Sequence, residues 1–114
     1  MTTAATRQDI ATALSTVPGL HGYPARPTVM TVGDGWPQWA GRTYAGGHAY
    51  ANQWNVLIVL PQTDDVTADS YADEHGEQII DALRPVMFVD GLQPAKIPVE
   101  GAELYALLVS GRSE

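Results

Sequence analysis

Near the start of the chain apolar residues recur at helical spacing, at Ile10, Ala13, Leu14 and Val17, and Pro18-Gly19 closes the run. Thr6-Arg7-Gln8-Asp9 has the form of a capping box, with Asp in place of Glu. The pattern therefore predicts an opening amphipathic helix of about three turns, starting at Thr6. The two prolines and two glycines of "GLHGYPARP" read as a loop. Thr28 to Val32 is short and β-branched and predicts a strand ending at the turn Gly33-Asp34-Gly35, with Gln38 to Tyr44 as its hairpin partner. Trp36-Pro37 between them reads as an aromatic–proline turn, and Gly46-Gly47 as a second turn.

Tyr50 to Leu60 has the strongest strand pattern. Trp54, Val56, Ile58 and Leu60 share one face, Leu57 and Val59 the other, and Pro61 ends the run. Apolar residues on both faces predict a central strand covered on two sides. Asp64 to Leu83 predicts a second helix, capped by Asp64 or Asp65, with Ala68, Tyr71, Ala72, His75, Ile79, Ala82 and Leu83 in one stripe. Gly76 interrupts its middle, which suits close packing against a sheet. Leu92 to Val99 and Leu104 to Val109 then predict two strands joined at Glu100-Gly101.

The order α-β-β-β-α-β-β fits a single α+β domain over residues 1–114. We expect an antiparallel or mixed sheet of four to five strands with both helices on one face. "NVLIVL" and "LYALLV" are apolar on both faces, so the second face needs its own cover. A neighbouring subunit, or the loops 18–27 and 84–91, can supply it.

Charge changes the picture next. Six basic residues against thirteen acidic ones give a formal charge of -7, which argues against non-specific nucleic-acid binding. Seven acids and no base fall between Asp64 and Asp81, and Asp69, Asp73, Glu77 and Asp81 stack at i, i+4. That row is either a solvated face or a docking face for basic residues of a neighbour, with Arg26 and Arg42 as the candidates from this chain. The N-terminus lacks an apolar core of signal-peptide length, and the longest apolar run, 56–61, is too short to span a bilayer. A soluble chain without membrane contact is expected.

Chemistry-bearing patterns are few. There is no Cys, hence no disulfide or thiolate metal site. His21, His48 and His75 lack metal-site spacing, and "DEHGE" lacks the second His of an HExxH helix. Ser15, Ser70, Ser110 and Ser113 lie outside any G-x-S-x-G context. Gly33-x-Gly35 follows an apolar stretch, but Gln38 stands where a dinucleotide fingerprint needs glycine, and Pro37 opens no helix. No cofactor, metal or enzymatic activity is expected. Trp36 and Trp39 admit three readings: packing in the chain's own core, an anchor at an interface, or a carbohydrate platform flanked by Asp34, Gln38 and Asn52.

An opening helix closed by "VPGL", then "GDGWPQW", the strand "QWNVLIVLP", a helix ending "IIDALRP" and a final "GAELYALLVSGRSE" run through most of the chain. In this layout the chain resembles the tail terminator (tail-completion) proteins of long-tailed bacteriophages, particularly the short Ala-rich siphophage versions from actinobacteriophages. The resemblance implies an α+β fold and a homo-oligomeric ring, usually a hexamer, that caps the tail tube, stops its polymerisation and offers the head–tail joining surface. It implies as partners the major tail tube protein and a head–tail connector protein, with DNA only as cargo passing through the lumen. The implied place is the virion, at the head-proximal end of the tail, after assembly in the host cytoplasm. The family carries no catalytic residues to transfer, so the expected interface residues (Trp36, Trp39, Arg26, Arg42, Asp69, Asp73 and Glu77) come from this sequence alone. Subunit contacts are expected along the sheet edges and Gly-rich loops. Another ring protein of the neck, and a small carbohydrate-binding module using Trp36 and Trp39, are the alternatives.

Overall fold

The computed structural model describes residues 3–44, 50–61 and 64–113. Its elements are α1 (Thr3–Ser15), β1 (His21–Gly22), β2 (Asp34–Tyr44), β3 (Tyr50–Val59), α2 (Asp65–Leu83), β4 (Phe88–Val99) and β5 (Ala102–Ser113). The fold is α+β, in the expected order α-β-β-β-α-β-β. The five strands form one mixed sheet in the order β1-β2-β3-β5-β4, with β1 parallel to β2 and every other pairing antiparallel. The Gly46-Gly47 turn and His48 lie outside the described residues.

Both helices pack on the same side of the sheet. Ile10, Leu14 and Val17 from the first helical region meet Trp54, Val56 and Ile58 of β3, Leu107 and Val109 of β5, and Ile79 and Leu83 of α2. β3 is central; its helix-side residues Asn52, Trp54, Val56 and Ile58 are buried, while on the second face Val59 is buried and Gln53, Asn55 and Leu57 are only half-buried. Asp64 caps α2, its carboxylate accepting the Thr67 backbone N–H at 2.9 Å. That hydrogen bond holds the Asp64 carboxyl below its ordinary pKa of 3.8. Gly76 packs close to β4: a Cβ there would stand 3.1 Å from Leu92 Cδ2. At the other end of β4, Gly101 adopts φ 76° in the tight turn into β5, a conformation that favours glycine.

Several local expectations are corrected. α1 begins at Thr3, so Thr6 lies within the helix and is buried instead of capping it. Arg7 is drawn out of the supposed box to tie the helix to the sheet. Its Nη1 donates to the Pro24 and Pro37 carbonyls at 3.3 and 3.2 Å, and its guanidinium lies 5.4 Å from the Trp54 ring centre. Residues 28–32 form no strand. Asp34 competes for their backbone, accepting from Thr31 N and Oγ1 at 2.9 and 3.1 Å while its own N–H donates to the Thr31 carbonyl. The first strand is instead His21–Gly22, inside the segment read as loop, and Gly22 sits against the Ala11 carbonyl of α1 with no room for a Cβ. Gly33-Asp34-Gly35 does not turn the chain back into a hairpin; Asp34 starts β2, and Trp36-Pro37 is strand rather than turn.

The second sheet face has a smaller core of Trp36, Val59, Ile97 and Ala106, against which Met30, Leu57, Ala95 and Leu104 pack. The covering segment is the non-strand stretch 28–32, through Met30, and neither of the loops expected there. The 18–27 loop runs beside α1, joined through Arg7 and Pro24; the expected 84–91 loop is cut short by β4 at Phe88, and Val86, Met87 and the strand residue Val89 belong to the helix-side core.

Candidate functional site

In a strand, side chains three apart point to opposite faces. Trp36 pairs with Leu57 and turns to the second face, where it is 2% exposed. Trp39 pairs with Trp54 on the helix side and is 44% exposed. The two indoles therefore share no platform. Immediately after Trp39 the register slips by a bulge, and Gly41 takes φ 114°, which an L side chain rarely adopts. The bulge brings Arg42 opposite Asn52 and Tyr44 opposite Tyr50, back on the face that carries Trp39.

The result is an aromatic arm at the end of the β2–β3 hairpin. Asn52, 1% exposed, is its pivot: the Oδ1 accepts from Trp39 Nε1 at 3.2 Å and from Arg42 Nε at 3.0 Å. The Arg42 guanidinium lies 4.5 Å from the Tyr50 ring centre, and the Tyr44 and Tyr50 rings are 6.1 Å apart. Beside them the buried Trp54 donates its Nε1 to Ser113 Oγ at 2.8 Å, which fastens the C-terminal strand under the arm. Tyr44 and Tyr50 remain 67% and 40% exposed. The Asn52 Nδ2 is buried with no acceptor among the described residues.

The two edges of the sheet differ. β4 carries Pro94 and Pro98, which donate no ladder bond and blunt that edge against strand pairing. On the other side β1 pairs only with Asp34 and Gly35, and Arg7 occupies the Pro37 carbonyl. Beyond Pro37 the outer edge of β2 has no strand partner among the described residues.

The acidic row is where the sequence puts it. Asp69, Asp73 and Glu77 are exposed along α2, and Asp81 next in line pairs with Arg84 at 2.8 Å. His75, in the apolar stripe, stacks on Tyr71 with ring centres 4.4 Å apart. Burial raises the Tyr71 phenol above its ordinary pKa of 10.0. Arg26 is exposed in the loop before Met30, away from the arm's hydrogen bonds. The structure thus gathers Trp39 and Arg42, buries Trp36 elsewhere, and holds the acidic row on a separate helix. Sequence reasoning missed Tyr44 and Tyr50, whose signal was their symmetric placement around the hairpin, and Phe88.

Phe88 is 66% exposed at the mouth of a groove of about 880 Å³ formed with Arg84, Val86, Met87 and Asp90. Arg112 lies 4.7 Å from its ring centre and pairs with Asp90 at 3.1 Å. Among the described residues no three His, Asp or Glu side chains gather as a metal site, and no helix is long and apolar enough to cross a membrane.

No known protein-family model matches this chain, and no curated protein matches it significantly.

Proposed function

We propose that the chain is a structural ring protein of the phage tail terminator type. It assembles head to tail, caps the growing tail tube and presents a surface to the head connector. The observation that supports this most is the arm: Trp39, Tyr44 and Tyr50 stay exposed although both sheet faces already have internal cores. A patch of this kind is the usual mark of an interface, since Trp and Tyr supply much contact area for little lost freedom. The same reading gives the formal charge of -7 a use, because an acidic lumen lets DNA pass without sticking. It assigns no catalytic residue and no cofactor. The ring is a hexamer in this proposal, with the tail tube protein and the connector on its two sides.

The test is a polymerisation assay. Added to growing tail tubes, the protein is expected to stop elongation at one end and to appear there as a ring in negative-stain images. Tubes that grow to unchanged length with bare ends overturn the proposal.

A carbohydrate platform is the second reading, favoured by the exposed Trp39 beside Asn52. It uses Trp39, Tyr44 and Tyr50, since Trp36 is buried on the other face. Titration with a broad glycan panel shifts tryptophan fluorescence if it holds and stays flat if it does not.

A further inference from the structure

We infer that the Trp39–Arg42 arm of one copy docks on the acidic α2 face of a second copy of this chain. The inference rests on the ring reading and names the surfaces that make the ring. Charge is strongly segregated along the sequence: from Gly35 to Thr63 there is one Arg and no acid, whereas Asp64 to Asp81 has seven acids and no base.

Of the other five cations two are neutralised by carboxylates, two are held by neutral groups, and Arg26 is exposed in its loop with no ion pair among the described residues. Arg84 pairs with Asp81, Arg112 with Asp90, Lys96 sits 5.1 Å from the Tyr105 ring centre, and Arg7 holds two carbonyls. Asn52 and Tyr50, both neutral, fix the direction of Arg42 and leave its charge uncompensated among the described residues. Asp69, Asp73 and Glu77 form no ion pair among the described residues either, and like charges at i, i+4 repel one another. A cation laid along that row relieves the repulsion.

The two surfaces do not meet within one molecule. α2 packs over β4 and β5, and Arg42 lies on β2 with β3 between. Two arms placed face to face would oppose Arg42 with Arg42, so a two-fold contact through this patch is disfavoured. A heterologous contact, arm to helix, repeats from copy to copy and makes a ring where its rotation closes, as the ring reading requires. The Trp39 indole is the apolar anchor, and Arg42 supplies the charge and the register.

Charge exchange tests it on the full chain. Arg42→Glu alone, and Asp73→Lys with Glu77→Lys alone, are each expected to weaken self-association about 10- to 100-fold. The three substitutions together restore it. The two helix substitutions are on an exposed face, and circular dichroism melting checks that each variant is folded. Folded single-site variants that assemble like the parent chain, or a folded triple variant that fails to recover, overturn the docking while leaving ring formation by the parent chain intact. A parent chain that stays monomeric at every concentration, tube protein present, overturns both.

Discussion

Trp36 and Trp39 stand three residues apart in one strand and face opposite sides of the sheet, the first 2% exposed and the second 44%. One completes an internal core; the other is held at the surface by a hydrogen bond to Asn52. Their substitutions should separate cleanly. Trp36→Ala is expected to lower stability by about 3–5 kcal/mol, as removal of a buried Trp does. Trp39→Ala should cost about 1 kcal/mol or less and act on self-association instead. Urea unfolding followed by far-ultraviolet circular dichroism distinguishes them.

Gly22 and Gly76 both lie under another element, with different room to give. A Cβ at Gly22 meets the backbone oxygen of Ala11, which cannot move without shifting α1. Gly22→Ala should therefore destabilise by about 1–3 kcal/mol. A Cβ at Gly76 meets only the end of the Leu92 side chain, at 3.1 Å. There the gain in helix propensity, about 1 kcal/mol, offsets the crowding, and Gly76→Ala should leave the melting temperature nearly unchanged.

Asn52 joins Trp39 and Arg42 through one oxygen. Asn52→Ala removes that acceptor and should cost about 1–2 kcal/mol. The freed indole becomes more mobile, which lowers its fluorescence anisotropy. Trp36 and Trp54 are both buried, so the change in anisotropy reports Trp39.

Stability should bend at both ends of the pH range. The Asp64 carboxyl titrates lower in the folded chain than its ordinary 3.8, so its cap contributes fully above that value and is lost as pH falls through the lowered one. Asp64→Asn keeps a capping oxygen and should flatten the acid limb. The Tyr71 phenol titrates higher than 10.0 when folded, so its contribution holds below that value and is lost as pH rises beyond it. Tyr71→Phe should flatten the alkaline limb. Thermal melts across pH check both.

Long elements with a sustained period were legible in the sequence. The stripe from Ala68 to Leu83 made α2, and the double-faced apolar run around Ile58 made the central strand. The β4–β5 hairpin was legible at its turn but not at its far end. Asp90, Arg112 and Ser113 there are polar yet lie within or beside the ladder, paired with each other or with Trp54. β1 was illegible because two residues carry no period; α1 and the tight seat of Gly22 hold it in place. The Thr28–Val32 error propagated. Reading Gly33-Asp34-Gly35 as a turn hid the strand that begins at Asp34, and with it the parity that sends Trp36 inward and Trp39 outward. Arg42 and the α2 acids were visible as charges, but the bulge at Gly41 that aligns Arg42 with Trp39 is a backbone feature no composition reports.

Closed-ring assembly is tested most directly by the mass of the particle in solution, measured by light scattering across a concentration series with and without tail tube protein. A ring predicts one species at a fixed multiple, six in this proposal, of the 12.2 kDa chain mass, unchanged on further concentration. A strictly monomeric species under every condition contradicts it.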